Sequence, residues 1–112
     1  MRIALVVLAV LALAGPAFSH TPRGDSIRGR VHPCLAQIVD RENPSWDPTV
    51  YNRQGSGAYG LPQALPGHKM ASAGADWRTN PYTQLRWMLR YVNERYGGPC
   101  EALAFWRAHR WY

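Results

Sequence analysis

Residues 34–63 read CLAQIVDRENPSWDPTVYNRQGSGAYGLPQ, and this stretch decides the fold. Leu35, Ile38, Val39 and Glu42 recur at i, i+3, i+4 and i+7, which puts them on one face of a helix. Three are apolar and the fourth is an acid. Pro33 suits a first helical position, and Asn43-Pro44 stops the helix, so a helix over 33–42 is expected. Glu42 then lies in its last turn. Burial of a charge is costly there, and the negative end of the helix disfavours a carboxylate. Both effects push the acid toward its protonated form, the form a general acid needs. Trp46 is expected to return a large apolar surface close to Glu42. The Asn-Pro-Ser-Trp-Asp-Pro turn gives way to a short extended piece at 50–52, a Gly/Ser tip at 54–57 and a Gly-Tyr turn, with a short helix expected from Leu61 or Pro62.

Outward from this stretch, the clearest helix runs over 80–96. Asn80 caps it, Pro81 opens it and Gly97-Gly98 ends it. Leu85, Met88, Leu89, Val92 and Tyr96 form its apolar stripe. Pro99 introduces a last helix over 100–109. Lys69 to Ala73 has room for one helical turn before Gly74. The fold class expected is mainly α (α+β), with about four helices, a loop-rich centre and at most a small β-hairpin.

The chain opens MRIALVVLAVLALAGPAFS, a short basic start followed by an apolar run and small residues around Ala17 and Ser19. This pattern predicts a signal peptide over 1–19. The apolar run falls short of the roughly 20 residues that span a bilayer. Residues 20–30 are polar, with two glycines and a proline, and read as a flexible leader. The domain proper is 31–112. After cleavage, 112 − 19 = 93 residues remain, enough for one small core. The expected location is secreted or at the cell wall, with no membrane attachment after signal cleavage. Cys34 and Cys100 are an even pair in an oxidising compartment, which favours a disulfide.

Formal charge is +6, from 13 basic and 7 acidic residues. Twelve of the basic residues are arginines, scattered along the chain. A basic exported protein suits an anionic polymer such as a bacterial wall. The absence of a Lys/Arg block argues against nucleic acid. The four histidines show no metal-ligand spacing, so no metal and no cofactor are expected.

With Glu42, the WDP-x-V-x-N segment (46–52) and SGAYGLPQALPGHKMASAGADWRTNP (56–81) in view, a resemblance emerges. The chain is similar to small transglycosylase-like domains of the lysozyme superfamily. Its neighbourhood is that of soluble lytic transglycosylases and resuscitation-promoting factors, in the short secreted form found in actinobacteria and their phages. The YGGPC (96–100) and HRWY (109–112) segments match as well. The resemblance implies a lysozyme-like fold with a glycan cleft beside one catalytic glutamate, Glu42. It implies that Asn52, Tyr59, Gly60 and Gln63 contact substrate. It also implies a monomer cutting the MurNAc-β-1,4-GlcNAc bond of peptidoglycan glycan strands. The family usually has serine after the glutamate; here Asn43 stands there. The Ala-Tyr-Asn-Ala-Gly motif of larger lytic transglycosylases is absent.

Most glycosidases use two carboxylates. Asp40, two residues before Glu42 on the helix, points elsewhere. Asp47 is the one plausible second acid, and it reads better as a turn former before Pro48. One acid favours a lytic transglycosylase with a single acid/base. The alternatives are a catalytically weak glycan-binding module and a lysozyme-type hydrolase.

Overall fold

Proline, asparagine and glycine punctuate the sequence, and the helices begin and end where they stand. The structure, a computed structural model, describes residues 24–53 and 55–112. The expected signal peptide and Gln54 lie outside the described residues. Among the described residues four α-helices occur in order: α1 (Gly24–Arg28), α2 (Pro33–Glu42), α3 (Pro81–Tyr96) and α4 (Pro99–His109). A 3₁₀ segment, Gly67–Ala73, precedes α3. The fold is mainly α. Extended structure among the described residues is confined to single antiparallel bridges, Tyr51 to Tyr59 and Tyr59 to Ala64.

Local chemistry sets the helix ends. His32 Nδ1 accepts from the Cys34 N–H at the start of α2. Asn80 Oδ1 accepts from the Tyr82 N–H at 2.9 Å and starts α3, and Gly97 at φ 90° ends it. No helix forms from Leu61 or Pro62. That segment turns instead, because Gly60 (φ 77°) and Gln63 (φ 53°) both take left-handed backbone.

Ile38, Val39, Met70, Met88, Val92 and Ala102 are fully buried and form the centre of the core. α4 packs across both α2 and α3. Cys34 and Cys100 are bonded, which ties the start of α2 to the start of α4. Two expectations are corrected. Part of the expected flexible leader is helix α1, where Ile27 is 2% exposed within the core and Arg28 pairs with Asp40 at 2.7 Å. An apolar side chain and a partnered guanidinium hold it down. Leu89, expected on the buried stripe of α3, is 42% exposed. Among the described residues, no helix is long and apolar enough to cross a membrane.

Candidate active site

Glu42 is the last residue of α2 and is half-buried. Its Oε1 accepts a hydrogen bond from the Trp106 indole N–H at 2.8 Å. Trp106 stands on α4, which the disulfide and the core hold across α2. Burial pushes the Glu42 carboxyl above its ordinary 4.5, and the Trp106 donor opposes that shift. No basic residue forms an ion pair with Glu42 among the described residues. Arg41 and Arg110 lie over the Trp106 ring instead, at 5.5 and 5.1 Å from its centroid. Desolvation therefore dominates at this carboxyl, and a protonated acid is what it favours.

The other nearby acids are spent. Asp40 pairs with Arg28 and accepts from the Trp46 N–H at 2.9 Å. The Arg28 hydrogen bond, chiefly, lowers its pKa. The Trp46 indole N–H thus serves Asp40, and the one that reaches Glu42 is that of Trp106 on α4. Trp46 itself takes left-handed backbone, φ 54°, in the turn after α2. Asp47 Oδ1 accepts from both the backbone N–H and the hydroxyl of Thr49, at 2.8 and 2.7 Å. These bonds lower its pKa and make it a turn former.

Asn43, directly after Glu42, is 1% exposed. Its Nδ2 donates to Asp47 O at 2.8 Å and to Gly60 O at 3.1 Å. Its Oδ1 accepts from the Ser45 hydroxyl. Gln63 Nε2 also donates to Gly60 O, at 3.0 Å. The Gly60 carbonyl therefore joins the end of α2 to the Gly-Tyr turn. On the other side of that turn, a Cβ on Gly60 would sit 2.6 Å from Gln84 Oε1. Gln84 is fully buried; its Oε1 accepts from the Leu61 N–H, and its Nε2 donates to Pro48 O and Trp77 O. One α3 side chain pins three loop segments, a role the sequence reading missed. A polar residue falling among the apolar positions of α3 was the available signal.

The remaining expected contact residues are not all brought together. Tyr59 packs edge-on against Trp77, and its hydroxyl donates to Arg78 O at 2.5 Å. Asn52 is exposed and closes the 52–58 turn through its backbone, donating to Ala58 O and accepting from the Gly57 N–H. Gln63 does line a cleft of about 90 Å³, with Leu65, Lys69, Trp87, Tyr91 and Tyr112. Trp87 and Tyr91 stack in this wall, with centroids 5.0 Å apart. Tyr112 donates to Pro62 O at 2.6 Å and meets Tyr91 edge-on. Burial first, and then the Glu42 charge, raise the Tyr112 phenol.

His32, Cys34 and Cys100 also bring potential metal donor atoms within 4.8 Å. Both sulfurs are held in the disulfide, and His32 Nδ1 caps α2, so this group is a structural clamp. The chain matches no family model, no curated protein and no solved structure.

Proposed function

We propose that this chain is a secreted lytic transglycosylase with a lysozyme-like fold that cleaves peptidoglycan glycan strands. The carrying observation is Glu42: a half-buried carboxyl raised by desolvation and held by one indole N–H. The sequence resemblance supports the same residue. Glu42 in its acid form protonates the glycosidic oxygen leaving C1 of N-acetylmuramic acid. The cleft, and the sugar's own acetamido group, stabilise the oxocarbenium-like state. Glu42, now a carboxylate, takes the proton of the C6 hydroxyl as that oxygen bonds to C1. The acid is restored, no water is consumed and the product is a 1,6-anhydro sugar. The engagement of Asp40 with Arg28 and of Asp47 with Thr49 supports this single-acid route over a two-carboxylate hydrolase. The disulfide and the lack of a membrane-crossing helix among the described residues are compatible with secretion.

Digestion of purified peptidoglycan with the protein and with Glu42→Gln tests this reading. Anhydro products, one water lighter than hydrolysis products and absent with the variant, are expected. Hydrated products that vanish with the variant would instead assign a hydrolase. Binding without any cleavage by either folded protein would leave a glycan-binding module.

A further inference from the structure

Leu89, 42% exposed, borders a groove whose other leucines, Leu35 and Leu85, belong to the core. Between the start of α2 and the first turns of α3 lies a groove of about 280 Å³. Val31, Leu35, Leu85 and Leu89 make its apolar floor, and Arg30 and Arg86 stand at its rim. Apolar surface dominates the lining, and no carboxylate belongs to it. α4 covers other faces of α2 and α3 and leaves this seam open.

We propose that this groove binds a single-chain anionic amphiphile, a fatty-acid carboxylate, with its chain on the leucines and its head at Arg30. The proposal is independent of the activity assigned to Glu42. Charge complementarity selects the head. Arg30 forms no ion pair among the described residues; its only side-chain partner there is the Tyr82 hydroxyl at 3.4 Å, a long contact that a carboxylate displaces. Arg86 adds weaker attraction, because it already donates to Thr83 Oγ1 and shares the field of Asp76. His32 adds a donor: its Nδ1 accepts from the Cys34 N–H, so the neutral ring carries its proton on Nε2. Size selects one chain, since the volume lies at the lower end of ligand pockets. Methylenes laid against Leu89 and Val31 supply affinity, and the arginine supplies the sign preference.

The test uses decanoate below its micelle-forming concentration, with decyltrimethylammonium as the cation of equal chain length. Binding is read from backbone amide shifts in nitrogen-15 spectra of the intact protein. Saturable decanoate binding is expected, with shifts centred on Val31, Leu35, Leu85 and Leu89. The cation should bind at least about tenfold more weakly. Arg30→Gln should erase most of that preference. Leu89→Glu, a change at an exposed position, should abolish binding while circular dichroism stays unchanged. Equal affinity for both ions, shifts outside the groove, or full binding by Leu89→Glu would overturn the proposal. So would binding to anionic phospholipid vesicles without any binding of free decanoate, which would make the site a membrane-surface contact.

Discussion

The indole N–H of Trp106 donates to Glu42 Oε1 at 2.8 Å across 64 residues of sequence. This contact makes α4 part of the acid's environment. It also sets a limit on how far burial raises the carboxyl, because a donor stabilises the ionised form.

Trp106→Phe removes that donor and keeps an aromatic ring. The Glu42 pKa should rise further. A general acid works while protonated, so the alkaline limb of the pH–rate profile should move to higher pH. Stability should fall by about 1–3 kcal/mol from the smaller ring and the lost hydrogen bond. Carbon-13 titration of the Glu42 carboxyl reads the shift without relying on activity. An unchanged or lower midpoint would show that the indole does not hold the acid.

Asn43 lies directly after Glu42, and its environment uses the full reach of its side chain. It spans to Gly60 O while also reaching Asp47 O. Asn43→Ala removes one donor from each of those carbonyls, which keep the Gln63 and Val50 N–H groups, and takes the acceptor from the Ser45 hydroxyl. A loss of about 1–2 kcal/mol is expected by urea unfolding. Asn43→Ser should recover little, because a hydroxyl offers one proton where the amide offers two. Full recovery by serine would mean that the Gly60 contact contributes nothing.

The helices were legible in the sequence because their ends are marked by Pro33, Asn80, Pro81, Gly97 and Pro99, and because Leu35, Ile38 and Val39 keep helical spacing. Glu42 was legible for the same reason, as the acid on an apolar face. What surrounds it was not. Trp106 reaches Glu42 only through the crossing of α4 over α2, and helix spacing says nothing of which tryptophan on one helix meets which acid on another. Gln63 reads as a cleft residue, yet its left-handed backbone, which excludes the expected helix, has no signature in a Leu-Pro-Gln triplet. Ile27 sits in a stretch of glycines, arginines and serine, where composition masks a single core anchor.

Gly60 and Gln84 are mutually restrictive. Gly60→Ala forces a Cβ onto left-handed backbone and to 2.6 Å from Gln84 Oε1. The backbone penalty alone is about 1–2 kcal/mol, and the clash adds to it. Gln84→Ala removes the obstruction but unpairs Leu61 N–H, Pro48 O and Trp77 O. Each variant should be destabilised, and the double variant should lose less than the sum. Strict additivity in thermal unfolding would mean that the two residues do not press on one another.

The disulfide closes a loop between residues 66 apart. In the chain-entropy view such a link is worth about 4 kcal/mol. Replacing Cys34 and Cys100 together by serine should therefore lower stability by about that amount. The Trp106–Glu42 contact should loosen with it, since the bond anchors the start of α4 to α2. Wild-type protein unfolded under reducing conditions should match the double variant. A variant as stable as the oxidised protein would mean that core packing alone fixes the two helices.

Glu42 carries a stability signature of its own sign. Its folded pKa is raised, so the folded state holds the proton more tightly than the unfolded chain does. That contribution is fully present below the ordinary 4.5 and is lost as pH rises through the folded value. Above the folded value the fold instead bears a partly buried charge. Glu42→Gln removes the charge and keeps an oxygen for the Trp106 donor. The variant should match or exceed wild type in urea unfolding at pH 7, and its advantage should shrink as pH falls through the raised folded value toward the ordinary 4.5, with no further change below that. Asp40 and its partner Arg28 are common to both proteins, so the acid loss from that pair, whose carboxyl is lowered below 3.8, cancels in the difference. A variant less stable than wild type by the same margin at every pH would show that the Glu42 carboxylate is not desolvated, and would remove the physical basis for its role as the acid.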